Sequence, residues 1–452
     1  MSESAMIAAI RFGYGMPLPD GAPQDAGALL ARLAGPDRAA EVWPGYGLGS
    51  VLPLQAEGAK LRRLRKNAEE FRAEYRAAVN AVDRQFHRAR QVMLARALGA
   101  SDGFRERLVV FWADHFTTVA KRRENRGLVP AMIEDAIRPH LTGRFADLLQ
   151  AAVLHPSMLL YLDQYLSVGP NAPGAAKPGR GGLNENLGRE LIELHTLGVA
   201  GGYTQADVRE MAELLTGLIY SPKRGQAYNA RRAEPGAETI LGQIYDGPGI
   251  EPILRALQDL ARRPETARHL ATKLATHFVA DAPDPGLVAA MEAAYLASDG
   301  DLLAVYRALL THPAAWNPAL TKARQPYDFV VAALRALDLG PVRIGQMNPR
   351  EMDARILKPL HAMGQPLFEA PGPDGWPEDA EVWISPQGLA ARIQWAMDAP
   401  QRLRKPLPDP AALATRALGS RASAALLRAA QRAENLREGV GLVLASAEFN
   451  RR

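Results

Sequence analysis

Asn184-Glu-Asn-Leu-Gly-Arg-Glu-Leu-Ile-Glu-Leu-His-Thr-Leu-Gly198 is the stretch of sequence that indicates the fold most clearly. Asn184 is a suitable N-cap and Gly198 a suitable stop, so the stretch predicts a helix of about 13 residues. On a helical wheel its leucines fall on one side and its charged residues on the other. A second helix is predicted directly after it, because Thr204-Gln-Ala-Asp207 has the spacing of a capping box.

The same helical spacing continues on both sides of this stretch, and alternating strand patterns are almost absent. An all-α fold is therefore predicted, with long irregular loops and at most a small β-hairpin, in segment 220–250. We expect residues 1–452 to form a single large helical unit, with the chemically richest residues in the central region 105–217. Two proline- and glycine-rich loops, 168–182 and 364–377, are predicted to flank one cleft, because long loops persist in compact proteins mainly where function holds them.

The composition excludes several kinds of site and partner. With no cysteine, the chain has no disulfide, no thiolate metal site and no cysteine nucleophile. Its net charge of +5 comes from 54 basic residues, most of them arginine, against 49 acidic ones. The densest basic stretch, 60–66, is followed at once by glutamates. We interpret it as a solvated helix face and expect no nucleic-acid partner.

The sequence predicts neither a membrane-spanning segment nor an export signal. No run of roughly 18 or more apolar residues occurs, so no transmembrane segment is expected. The segment 1–10 lacks a basic leader, and its apolar stretch is short for a signal peptide. The chain as numbered is predicted to be cytoplasmic. A periplasmic location is the alternative if a leader was removed.

The polar side chains of the central stretch fall on one arc of the helical wheel. If this arc faces a cleft, Glu190 and Glu193 are the predicted pair of catalytic carboxylates. Arg189 lies one turn from Glu185 and one turn from Glu193, which is the spacing of helix salt bridges. The alternative is a solvated, charge-rich face. The ligand-binding candidates, which include a tryptophan of the second irregular loop, are Asn184, Glu185, Asn186, Arg189 and Trp376.

A histidine and an aspartate upstream complete the predicted catalytic set. His155 precedes Pro156 and is predicted to lie at a helix N-terminus. There the helix dipole disfavours protonation, which suits a neutral base or ligand, although an ordinary cap would occupy the same position. Asp163, two turns further on, is the nearest carboxylate that could accompany His155.

A divalent metal ion is the cofactor that the remaining residue types would suit. Its candidate ligands are Asp114, His115 and His195. On a helix, His115 shares an apolar face with Phe111, so the alternative is a hydrogen-bonded core histidine. His195 is expected to be buried among leucines and to hydrogen-bond an acceptor whichever interpretation holds.

Several well-known catalytic and nucleotide-binding motifs do not occur. The sequence has no Gly-x-Gly-x-x-Gly after a strand, no Walker loop, no His-Glu-x-x-His and no Gly-x-Ser-x-Gly. These absences disfavour nucleotide binding and serine hydrolase chemistry. They leave an unfamiliar site open.

A set of short motifs is spread along the chain: Arg11-Phe-Gly-Tyr-Gly15, Phe111-Trp-Ala-Asp-His-Phe116, Ala136-Ile-Arg-Pro-His140, His155-Pro-Ser-Met-Leu-Leu-Tyr-Leu-Asp163, Asn184-Glu-Asn-Leu-Gly-Arg-Glu-Leu-Ile-Glu-Leu-His195, Gly202-Tyr-Thr-Gln-Ala-Asp-Val208 and Gly364-Gln-Pro. Together they resemble the bacterial domain-of-unknown-function family 1800, over almost the whole chain. The chain departs from the family pattern, which commonly has His-Asn where Ala113-Asp114 stands here. Family members also tend to have a histidine at the position of Ala233.

The resemblance implies no assigned activity, so whether the protein is an enzyme stays open. The leading hypothesis is a metal-dependent enzyme or small-ligand binder that uses a pocket of His, Asp, Glu and Asn side chains. Family members are often encoded beside an exported family that looks like a sulfatase. The alternative hypothesis is therefore a non-catalytic partner or assembly factor for such a neighbour in envelope or surface-polymer metabolism, which is an argument by association.

Overall fold

Helices dominate the structure, as the sequence predicts. A computed structural model of the chain describes residues 2–17, 21–66, 68–101, 103–175, 182–221 and 225–452. Helices make up 62% of the chain, and the strands form two small antiparallel sheets. The all-α prediction is confirmed.

Twelve α-helices precede the strands and fourteen follow them in the described residues. The first group is α1 (Glu3–Ile7), α2 (Ala26–Ala34), α3 (Arg38–Val42), α4 (Leu48–Leu64), α5 (Phe71–Gly99), α6 (Phe104–His115), α7 (Leu128–Met132), α8 (Arg138–His140), α9 (Phe145–Val153), α10 (Pro156–Tyr161), α11 (Asn186–Glu190) and α12 (Gln205–Leu214). The second group is α13 (Glu251–Arg262), α14 (Pro264–Phe278), α15 (Pro285–Ala297), α16 (Leu302–Thr311), α17 (Pro326–Ala336), α18 (Pro341–Gly345), α19 (Pro349–Met352), α20 (Lys358–Ala362), α21 (Ala380–Trp383), α22 (Pro386–Asp398), α23 (Pro400–Leu403), α24 (Pro410–Leu418), α25 (Ala424–Arg432) and α26 (Leu436–Ala445).

Shorter helical turns of two other kinds extend or join these helices. Wider π-helical turns, which often occur at functional sites, continue α1, α7, α11 and α19 at Ala8–Phe12, Ile133–Ile137, Leu191–Thr196 and Asp353–Leu357. Tighter 3₁₀ turns lie at Arg123–Asn125, Gln164–Leu166, Pro313–Trp316 and Gly419–Arg421.

The central stretch forms the predicted helix, with a change of geometry in the middle. Asn184 accepts a hydrogen bond from the backbone of Asn186 at 3.0 Å, just before α11. The helix continues through the π turn, and Gly198 follows its end with a φ of +80°, a conformation that favours glycine. The capping box of α12 is confirmed, because the side chains of Thr204 and Asp207 each accept from the other's backbone N–H.

Two hairpins occur where the sequence predicts at most one. Strands β1 (Leu218–Ser221) and β2 (Gly225–Tyr228) pair with each other, and β3 (Glu238–Ile240) pairs with β4 (Gln243–Tyr245). The second hairpin turns at Leu241 and Gly242, which both have positive φ, as a tight two-residue hairpin turn requires. Leucine rarely adopts that conformation, so the turn was not recognised in the sequence.

Buried apolar side chains form two large clusters that lie against each other. The first is built mainly by helices between α1 and α16. The second surrounds α17, in which every residue is buried. An ion pair between Arg107 on α6 and Asp328 on α17 joins the two, with 2.8 Å between Nη1 and Oδ2. No helix in the described part of the chain is long and apolar enough to cross a membrane.

Candidate functional site

The polar arc of the central helix is held together by Arg189. Its guanidinium lies 3.1 Å from Glu193 and 3.3 Å from Glu185, one turn to either side, which confirms the predicted salt-bridge spacing. It also donates to the side chain of Gln205 at 2.9 Å. Asn184 donates to the backbone of Leu162 at 2.8 Å. These candidates therefore fasten α11 to its neighbours, while Asn186 is exposed.

Glu190 differs from its neighbours on the arc, because it lies within electrostatic range of a loop and a tyrosine. It is half-buried, and burial raises its pKa, with a further contribution from Glu193 and a smaller one from Asp374. Tyr161 lies within electrostatic range of Glu190 and Asp374. Asp374 belongs to the loop 364–377, so this loop and the central helix approach each other here. Neither Glu190 nor Glu193 is fully exposed.

Glutamine at position 190 is expected to leave the free energy of unfolding at pH 7 unchanged or to raise it by less than ~1 kcal/mol. The raised pKa means that the ionised carboxylate is the disfavoured form, so any gain should fade as the pH falls towards 4. Glu193→Gln is the matched control, and it should lose the ion pair to Arg189. Urea unfolding at pH 4 and pH 7 measures both. A larger loss for Glu190→Gln than for Glu193→Gln at pH 7 would contradict this account.

Two histidines from other helices, His115 on α6 and His269 on α14, contact backbone carbonyls near the end of the central helix. A π turn leaves carbonyl groups without their usual helical partners. The Nε2 of His115 lies 3.2 Å from the carbonyl oxygen of His195, and the Nε2 of His269 lies 3.0 Å from that of Leu194. Burial lowers the pKa of His115, and it lowers that of His269 to about 4, so both rings are neutral donors.

The described part of the structure does not gather the three metal candidates, Asp114, His115 and His195, into a set of ligands. Among the described residues, no group of three or more His, Asp or Glu side chains could hold a metal ion. His195 is buried as expected, and burial lowers its pKa to about 3. The backbone of His115 offers the ring an acceptor and opposes this lowering, although the contact falls outside strict hydrogen-bond geometry in the described structure. His115 is the core histidine that the alternative predicted.

His155 and Asp163 have separate partners. His155 caps α10 as predicted, with its Nδ1 accepting from the backbone of Ser157 at 3.1 Å. Burial lowers its pKa to about 3, which keeps the ring neutral. Asp163 lies 2.7 Å from the ammonium of Lys121 and faces away from the core. The helix between them ends at Tyr161, earlier than the sequence predicts.

The loop 364–377 closes over Asp114. The backbone N–H of Trp376 donates to Oδ1 of Asp114 at 2.9 Å, so the contribution of this tryptophan runs through its main chain. A Cβ on Gly375 would lie 2.7 Å from the same oxygen, and this residue has a φ of +81°. Only glycine therefore lets the loop approach so closely. Burial raises the pKa of Asp114 to about 7, although the N–H of Trp376 and the charge of Lys273 oppose it.

Lys273 is a functional candidate that the sequence analysis missed. Burial lowers its pKa, and the carboxylates of Asp114, Glu378 and Asp374 partly offset that effect. Glu378 itself pairs with other groups, at 2.5 Å from Nδ1 of His277 and 2.8 Å from Nζ of Lys322. A signal was present in the sequence: His269, Lys273 and His277 recur every four residues along α14 and so share one face.

An apolar cavity of about 80 Å³, partly open to solvent, lies beside Asp114. We call it the outer cavity. Ala113 and Asp114 both line it, so the departure from the family pattern falls on its wall. Its other polar side chains are few. They are Thr117, Thr118, Tyr327, Gln365 and Trp376.

The two irregular loops contribute differently to this site. Loop 364–377 supplies Gln365, Leu367 and Phe368 to the outer cavity, whereas no described residue of loop 168–182 lines it. The described part of loop 168–182 packs on segment 231–234 instead, through the backbone of Gly169 and Gly174. Residues 176–181 of that loop lie outside the described residues. The idea of a cleft flanked by both loops stays a prediction.

Comparison with known protein families shows which family the chain matches. Residues 11–451 match a family described as a protein of unknown function, DUF1800. No curated protein and no solved structure matches the chain. Because the match covers nearly its full length, the chain belongs to the DUF1800 family.

Proposed function

We propose that this protein binds a small molecule with an apolar body and a polar head, in the outer cavity beneath loop 364–377. The observation that carries the proposal is the cavity itself, whose wall is apolar except for Asp114 and a few other polar groups. Ligand sites commonly combine an apolar lining with a small number of placed polar groups. Asp114 is the anchor that would fix the orientation of the head.

Asp114 and Lys273 also suit proton transfer to a bound ligand. A carboxyl group with a pKa of about 7 is ready both to take up and to release a proton near neutral pH. Lys273, whose pKa is lowered by burial, lies within electrostatic range of it. Groups shifted in this way cluster at catalytic sites. This supports acid–base chemistry on the bound molecule as the finer form of the proposal.

Filling the outer cavity tests the binding function. Ala113→Leu adds volume to its wall, so it is expected to weaken binding of the neutral fluorescent dye N-phenyl-1-naphthylamine by at least about tenfold. Ala77→Leu, on an exposed face of α5, is the matched control and should bind the dye like the unchanged protein. Fluorescence titration measures both variants, and thermal melting confirms that each is folded.

Equal dye binding by the two leucine variants would overturn the proposal. The partner role implied by the family resemblance gives a different outcome. If the protein acts only as a partner for a sulfatase-like neighbour, neither the unchanged protein nor the Ala113→Leu variant should give a saturable dye signal.

A further inference from the structure

A concavity of about 520 Å³ opens on the surface beside α23, and none of its wall residues lines the outer cavity. We call it the basic cavity. Its wall comes from the π turn after α19 and from segment 401–407. Four of its six wall residues are cationic, and the other two are uncharged. The six are Arg355, Gln401, Arg402, Arg404, Lys405 and Leu407. A concave site lined by one sign of charge attracts ligands of the opposite sign.

Two of the arginines are held in place by contacts that occupy only part of each guanidinium. Arg355 lies 2.6 Å from Glu351 and also donates to the backbone carbonyl of Arg402. Arg404 lies 3.0 Å from Asp338. These contacts all run through the Nη1 atom of the arginine. The Nε and Nη2 groups of both side chains are therefore left to donate to a ligand.

The other two cations of the wall lack partners. Arg402 and Lys405 are exposed, and neither side chain has an ion pair or hydrogen bond within the described structure. The carboxylate that pairs with Arg355 is itself shared with Arg343. These five cations have two carboxylate partners between them, which leaves a local excess of three positive charges. The protein itself does not neutralise this excess.

The arrangement of the cations favours a small ligand over a nucleic acid. A nucleic-acid surface has its cations spread along a stripe or over one face. Here the cations surround one concavity, and the chain on either side of the wall residues is acidic, at Asp353, Asp398 and Asp409. Carboxylates at these positions disfavour an extended phosphate backbone. The volume of about 520 Å³ is in the range of small-molecule sites.

We propose that the basic cavity binds a small molecule that carries a diphosphate group. A diphosphate has about three negative charges near neutral pH, which matches the local excess of positive charge. Guanidinium groups bind phosphate oxygens in a planar, forked geometry, whereas lysine acts as a point charge. Arg355 and Arg404 donate to the phosphate oxygens, and Arg402 and Lys405 neutralise the remaining charge. The basic cavity is separate from the outer cavity, so it adds a second ligand class to the proposed function.

Isothermal titration calorimetry with inorganic pyrophosphate tests the site, near pH 7.5 and at low ionic strength, where screening is weak. The unchanged protein is expected to bind pyrophosphate at least about tenfold more tightly than citrate, which has a similar charge but no phosphate group. The double variant Arg402→Gln/Lys405→Gln should weaken pyrophosphate binding at least about tenfold, because it removes the two unpaired cations. Thermal melting confirms that the variant is folded.

Lys66→Gln/Arg122→Gln is the matched control. It removes the same charge from two exposed side chains that have no partner in the described part of the chain, and it should bind pyrophosphate like the unchanged protein. Equal weakening by the two double variants, or equal affinity of the unchanged protein for pyrophosphate and citrate, would refute the proposal in favour of diffuse charge attraction. Tighter binding of a short DNA duplex than of pyrophosphate would refute it in favour of a nucleic-acid surface. Each of these outcomes leaves the proposed function standing, since that function is measured by dye binding in the outer cavity.

Discussion

Asp328→Asn is expected to lower the free energy of unfolding by about 3–5 kcal/mol, because it removes one partner of a buried ion pair. Asp328 is 5% exposed and accepts from Arg107 at 2.8 Å. Its Oδ2 also lies 3.2 Å from Nε of Arg452, which is fully buried. The variant would leave both guanidiniums without this counter-charge in the interior. It would also weaken the ion-pair link between α6 and α17, and so between the two apolar clusters.

The loss should depend on pH in a definite direction. Burial alone would raise the pKa of Asp328, but the charges of Arg107 and Arg452 outweigh it, and the pKa is lowered. A carboxylate of lowered pKa stabilises the folded state above its unfolded pKa of about 3.9. That contribution fades as the pH falls through the lowered value. The unchanged protein should therefore approach the variant in stability only in strong acid.

Urea unfolding at pH 7 measures this effect, with Glu41→Gln as the control. Glu41 pairs with Arg38 at 3.1 Å on the surface, where both side chains are more than half exposed. Removing such a pair is expected to change the free energy of unfolding by less than ~0.5 kcal/mol. A loss below ~1 kcal/mol for Asp328→Asn would show that the buried pair is not what holds α6 to α17.

The helices were predictable because their signals are local. Thr204 and Asp207 lie three residues apart, and the caps, stops and apolar spacing of α11 and α12 are all found within a few residues. The turn at Leu241 was missed for the opposite reason, because a leucine with positive φ breaks the local rule. Local patterns therefore predicted the fold class but undercounted the hairpins.

The candidate site was only partly predictable, since it depends on contacts between distant segments. Asp114 was singled out, yet its pKa is set by burial beneath a loop that contains Trp376, 262 positions further along the chain. Lys273 acts on the same carboxyl from α14, and Glu378 follows Trp376 by only two positions. The polar arc around Arg189 was predicted correctly as salt-bridged, but spacing alone could not show that Glu190 lies within electrostatic range of Asp374.

Asp114→Asn is expected to make the protein more stable than the unchanged chain at pH 8, by about 2 kcal/mol. Burial raises the pKa of Asp114 to about 7, so the ionised form is disfavoured in the folded state. Each unit of pKa change corresponds to about 1.4 kcal/mol of stability. The gain expected for Asp114→Asn is smaller than the full pKa change would give, because part of the side chain faces the cavity. Asparagine keeps an oxygen that can accept from the backbone of Trp376.

The sign of this effect sets the pH window in which it appears. A carboxyl group of raised pKa contributes stability that is present below its unfolded pKa, near 4, and is lost as the pH rises through about 7. The difference between the variant and the unchanged protein should therefore be near zero at pH 4, grow between pH 4 and pH 7, and stay constant above. Asp147→Asn, at an exposed position of α9, should show no such rise.

The Asp114→Asn variant also distinguishes a ligand-binding role of Asp114 from a purely structural role. If this carboxyl anchors the polar head, Asp114→Asn should bind octan-1-ol, measured by displacement of N-phenyl-1-naphthylamine, several-fold more weakly at pH 8 while melting at a higher temperature. A residue that only stabilises the fold would show the reverse, a loss of stability with binding unchanged. Weaker binding together with higher stability is the pattern expected of a binding site whose buried charge destabilises the folded protein but is needed to hold the ligand. Equal stability of the two proteins at pH 4 and at pH 8 would mean that Asp114 is not held beneath the loop as the structure shows.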